Sequence, residues 1–142
     1  MTKEELKSIL YLDQLINSKL RQLDQLKAYR ARLPAGSSDT GPVQSGLSDP
    51  TASMAAKITD LDRSINCEID KLVELKESAR VLFCKLDGDL RLKLIMELRY
   101  LECLDWVNVA KRAGYNPRHV YRLHGQALAI LFKDGTKWQS HS

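Results

Sequence analysis

The sequence has no long apolar run. Its longest, Ala127–Phe132, is six residues, against the roughly 20 that a membrane-spanning helix needs, so no such helix and no membrane partner is expected. The opening Met1-Thr2-Lys3-Glu4-Glu5-Leu6-Lys7 lacks the apolar core of a secretory signal. Cysteine is scarce and dispersed. Cys67, Cys84 and Cys103 form no C-x-x-C pair, which argues against a disulfide framework or zinc site and for reduced thiols in a cytoplasmic protein. There is no P-loop, no G-x-S-x-G and no paired-carboxylate site. His119 and His124 are five residues apart, so they do not share a helix face as i, i+4 zinc ligands do. These absences predict a chain that is not an enzyme and carries no metal or cofactor.

Proline and glycine are rare except in one place. Residues 34–50 (PAGSSDTGPVQSGLSDP) hold three of the four prolines and three of the seven glycines. Pro fixes φ and removes a donor, while Gly adds backbone entropy. A packed element does not fit there, and a flexible linker is expected. It separates two stretches of heptad pattern within a chain of only 142 residues.

Before the linker, Ile9, Ile16 and Leu23 recur every seven residues, as do Leu12, Leu26 and Leu33, with Lys19 interrupting the second row. After it, Ile58, Ile65, Leu72, Ala79 and Leu86 form one row, and Met54, Leu61, Leu75 and Leu82 the other, interrupted by Glu68. A seven-residue apolar repeat marks a coiled-coil seam. Thr2 and Glu5 have capping-box spacing, Thr51 or Ser53 suits a second helix start, and Gly88 suits its end. The expected architecture is all-α: a long antiparallel helical hairpin over 1–86, then a small three-helix domain over 87–133, then a polar tail over 134–142 with Trp138 its exception. Leu6, Leu15, Leu20 and Tyr29 flank the first seam, and Ile69 and Phe83 the second. A lone hairpin would expose them, so they are the expected oligomer interface, most simply of a homodimer forming a four-helix bundle.

Charge is unevenly placed. The 22 Lys+Arg against 18 Asp+Glu give a net +4. Between Trp106 and Lys133, however, Lys111, Arg112, Arg118, Arg122 and Lys133 are accompanied by no acid. This stretch is +5 by itself, an electrostatic footprint for a polyanion.

The same stretch, WVNVAKRAGYNPRHVYRLHG, meets the demands of a helix-turn-helix. Ala110 supplies the small residue where the helices cross. Gly114, four positions later, tolerates φ > 0. Val120 and Leu123 supply buried positions of the second helix, and Val109, Ala113 and Tyr115 complete the apolar set. Asp105 can cap the first helix and Asn116 the second, with Pro117 at the favoured first position. Upstream, Leu90, Leu94, Leu98 and Leu101, with Ile95, are expected to share the face of a supporting helix. With Val120, Leu123, Ala127 and Leu128 inward, Asn116, Arg118, His119, Tyr121 and Arg122 are the candidate base-reading residues. Arg pairs with guanine O6 and N7. Asn116 reads adenine or only caps the helix, and Tyr121 meets a sugar or thymine methyl or packs on its own domain. Lys111, Arg112, His124 and Lys133 are candidate phosphate contacts, which position without specifying.

The run ELRYLECLDWVNVAKRAGYNPRHVYRLHGQAL resembles the C-terminal signature of a family of small phage and prophage proteins from Gram-positive bacteria. In that family an arginine-tyrosine-leucine motif precedes a helix-turn-helix ending in V-Y-R-L-H-G, here Val120–Gly125. LDQLINSKLRQL and AAKITDLDRSINCEIDKLVELK resemble the same family. Asn108-Val109 departs from it, because an acidic residue more often precedes the aliphatic there. The helix-turn-helix is similar to region four of bacterial sigma factors, and related proteins of the RinA and ArpU type are regarded as late-gene activators. The resemblance implies a transcription regulator acting on double-stranded DNA in the host cytoplasm, with host RNA polymerase as a further partner. Two other classes fit the residues: a small terminase-like packaging component, and a coiled-coil adaptor that binds polymerase rather than DNA.

Overall fold

The computed structural model describes residues 1–33 and 50–133, and every regular element in them is helical. The expected linker, except Pro50, and the tail with Trp138 lie outside the described residues.

Helix α1 runs Lys3–Arg32. Its start is a reciprocal capping box: the Thr2 N–H donates to Glu5 Oε1 at 2.8 Å, and the Glu5 N–H donates to Thr2 Oγ1 at 3.1 Å. Helix α2 runs Pro50–Phe83. Thr51 and Ser53, the expected caps, therefore lie inside it, after a proline whose fixed φ suits a first helical position. The chain leaves α2 through a 3-10 turn, Cys84–Leu86. Gly88 does not end the helix in a left-handed conformation, because Gly114 is the one glycine with positive φ among the described residues.

Asp89 starts helix α3, Leu90–Met96, its side chain accepting from the Arg91 N–H at 3.1 Å. A turn of π-helix, Glu97–Leu101, extends α3, with the Glu102 N–H reaching back five residues to Glu97 O. Helix α4 is Trp106–Ala113 and helix α5 is Pro117–Leu131.

The chain divides into two compact units. One is Gln14–Asp70, where α1 and α2 lie side by side with Ile16, Leu23, Ile58 and Ile65 buried. Lys19 and Glu68, the residues that interrupt the two apolar rows, meet each other there. Lys19 Nζ lies 2.9 Å from Glu68 Oε2 and 2.8 Å from Ser64 Oγ. Glu68 Oε1 is buried and accepts no hydrogen bond from the described residues. Removing the cation alone would leave that carboxylate uncompensated, so Lys19→Leu is expected to destabilise the protein by about 1–3 kcal/mol. The double variant Lys19→Leu with Glu68→Leu is expected to recover the loss, since well-packed apolar pairs commonly match buried ion pairs. Urea denaturation of the three proteins checks both, and a double variant no better than the single one would refute the pairing.

The other unit joins Met1–Asp13 to Lys71 and the chain beyond it. The boundary expected at residue 86 is therefore not where the compact units part. The first turns of α1 and the last of α2 share a unit with the C-terminal helices. Leu6 and Phe83, expected at an oligomer interface, are 1% and 0% exposed within this unit. They are core residues, covered by the chain's own helices. Leu15, Leu20, Tyr29 and Ile69, from the same expected set, are exposed. The supporting helix keeps only part of its expected face inward, Ile95 and Leu98. Leu92, Ile95, Met96, Leu98 and Tyr100 are buried, whereas Leu90 is 69% exposed and Leu94 is exposed as well. The segment is apolar at nearly every second position, so periodicity offered two stripes, and packing against α5 selected one.

Candidate nucleic-acid interface

Helices α4 and α5 are joined by a turn whose geometry is set locally. Asp105 Oδ1 accepts from the Asn108 N–H at 2.9 Å and caps α4. Gly114 ends it at φ 80°, in the left-handed region, and the N–H groups of Gly114 and Tyr115 both return to Ala110 O, at 2.9 and 3.1 Å. A Cβ at Gly114 would meet nothing within 4 Å, so its glycine requirement comes from φ and not from crowding. Asn116 Oδ1 then accepts from the His119 N–H at 2.9 Å, and Pro117 opens α5. Asn116 thus serves as a cap. Val109, Ala110, Val120 and Leu123 are buried where the helices meet, and Ala113 and Tyr115 are half-buried at the rim.

Arg118, Tyr121 and Arg122 are exposed on the N-terminal half of α5, and His119 is half-buried with its ring edge-on to Tyr115 at 4.8 Å. Lys111 and Arg112 are exposed on the last turn of α4. Arg112 reaches Glu102 at 3.4 Å, so one cation of the basic window is offset by a carboxylate just outside it. Lys133 lies eleven residues beyond Arg122, two residues past the end of α5. It lines a groove with Met1, Lys85, Ile130, Leu131 and Phe132.

His124 is not a phosphate contact. It is 7% exposed, and its Nε2 shares a hydrogen bond of 2.9 Å with the Tyr100 hydroxyl. It lies one turn after Val120 and one before Ala127 and Leu128, on the inward stripe of α5, and that i, i+4 relation is legible in the sequence. Burial, with the Arg99 cation adding to it, pushes the His124 pKa down to about 4. Burial also pushes the Tyr100 pKa up to about 12. Both groups are therefore neutral near pH 7.

A folded-state pKa below the usual 6.5 makes the folded state less stable as the pH falls. The stability from neutral His124 is complete above pH 6.5 and is lost as pH falls toward 4, about 3 kcal/mol in all. Urea midpoints measured from pH 7 to pH 4 should show this fall, and His124→Gln should flatten it. An unchanged slope in that variant would refute the assignment.

Around His124 stands an aromatic cluster. Trp106 meets Tyr121 edge-on at 5.3 Å and His124 at 4.7 Å, Tyr100 stacks on His124 at 5.8 Å, and Phe83 lies 6.4 Å from Tyr100. The Arg99 guanidinium lies 4.4 Å from the Trp106 ring centroid and donates from Nη1 to Leu104 O at 2.9 Å. Arg99 and Tyr100 open the arginine-tyrosine-leucine motif, but they and Trp106 are not among the site residues expected from the sequence. Their signal was the arginine-tyrosine pair one helix upstream of a tryptophan at a helix start.

No group of three His, Cys, Asp or Glu side chains among the described residues could hold a metal ion, and none of their helices is long and apolar enough to cross a membrane. No protein-family model matches the chain, and no curated protein or solved structure is significantly similar to it.

Proposed function

We propose that the protein is a sequence-specific DNA-binding transcription regulator, with α4 and α5 as a helix-turn-helix and α5 as the recognition helix. The observation that carries this reading is the capped pair α4–α5. Its left-handed Gly114 turn leaves Arg118, Tyr121 and Arg122 exposed together on α5 in a stretch without carboxylates. Arginines at the start of a recognition helix reach base edges in the major groove, while lysines and arginines such as Lys111 and Arg112 meet phosphates. The resemblance to RinA- and ArpU-type proteins supports extending the proposal to a phage late-gene activator in the host cytoplasm, with host RNA polymerase as a proposed partner. Self-association runs through the exposed Leu15, Leu20, Tyr29 and Ile69, most simply as a homodimer.

Duplexes selected from random DNA by the protein, titrated at several salt concentrations, test the reading. A steep fall of affinity with salt and a recurring selected sequence support it. Binding that is absent or insensitive to salt leaves the polymerase adaptor. A native mass of about eight or more chains in a closed ring favours packaging over a dimeric regulator.

A further inference from the structure

We propose that Trp106 is a positioning residue for DNA recognition, fixing the ring of Tyr121 on the reading face of α5. The inference rests on the DNA-binding reading above and adds a residue that touches no base.

Trp106 is the first residue of α4, and its indole contacts two side chains one turn apart on α5, Tyr121 and His124. His124 is buried and hydrogen-bonded to Tyr100, which makes it a fixed wall for the indole. Arg99 lies against the indole ring, and its bond to Leu104 O ties the segment that leads into α4. The buried Arg99 Nε has no hydrogen-bond partner among the described residues. Among the described residues, the guanidinium is oriented by the ring and a carbonyl.

Tyr121 nevertheless remains 45% exposed. Its ring packs on the indole, while part of the side chain stays open to solvent, a division of labour natural to tyrosine. Arg118 precedes Tyr121 by three residues and so shares its face of α5, and Arg122 follows directly. A tyrosine ordered before DNA arrives loses less rotamer freedom on binding, which raises affinity wherever that tyrosine makes a contact. The effect falls on specific binding, because phosphate contacts do not involve it.

The test measures affinity for the selected duplex and for a scrambled duplex. Trp106→Leu is expected to weaken binding to the selected duplex about 3- to 10-fold. Affinity for the scrambled duplex and the salt slope should be unchanged. Trp106→Phe, which keeps an aromatic edge and guards against a misfolded leucine variant, should retain most of the discrimination. In a Tyr121→Ala background, Trp106→Leu should have no further effect on discrimination, because the two residues act as one unit. Losses that add in the double variant, or fall equally on both duplexes, would overturn the inference alone. A wild-type protein without salt-dependent DNA binding would overturn the DNA reading, and this inference with it.

Discussion

Phe83→Ala is expected to destabilise the protein by about 3–5 kcal/mol, the range for deleting a fully buried phenyl group. Phe83 has no exposed surface, and its ring lies 6.4 Å from that of Tyr100. The cavity would open beside the residue that hydrogen-bonds His124, so the damage should reach the aromatic cluster under α5. Because Phe83 is covered by its own chain, the loss should be the same at every protein concentration. Leu15→Ala and Ile69→Ala, at exposed positions, should instead leave the unfolding free energy of the monomer within about 0.5 kcal/mol and weaken association. Denaturant unfolding over a hundredfold range of concentration separates the cases. A Phe83→Ala protein that is normally stable but shifted toward monomer would show that Phe83 belongs to an interface after all.

Joint replacement of Arg118 and Arg122 by alanine should have the largest effect on binding. A well-made arginine–guanine pair contributes about 1–3 kcal/mol of discrimination. Removing two should therefore reduce the preference for the selected duplex by about 30- to 10⁴-fold. Both side chains are exposed, so thermal stability should hardly change. Lys111→Gln offers the contrast: without its charge on a phosphate, the protein should bind all duplexes more weakly and alike, and the salt slope should fall by about one. Competition between selected and scrambled duplexes at two salt concentrations measures each quantity. If the double variant discriminates as well as the original, α5 is not the reading helix.

The features legible in the sequence are those settled within a few residues. The reciprocal box of Thr2 and Glu5, the caps at Asp105 and Asn116 and the left-handed Gly114 all satisfy backbone groups one turn away. The row Ile58, Ile65, Leu72, Ala79 and Leu86 is buried throughout, because a strict heptad leaves a helix one consistent face to hide. Lys19 and Glu68 could be read as interruptions, yet only the pairing of α1 with α2 joined them at 2.9 Å.

By itself, then, the sequence determined that the chain is helical, where its C-terminal helices start and turn, and which stretch is basic. Those properties follow from propensity, capping and local charge. The tertiary structure decided that Leu6 and Phe83 are core, that α3 buries Leu92 and Met96 instead of Leu90 and Leu94, and that His124 is a neutral wall under Trp106. Each of those outcomes depends on what arrives from a distant segment. An apolar stripe specifies that a face will be covered but not by which helix, and a histidine's charge follows from the solvent it loses.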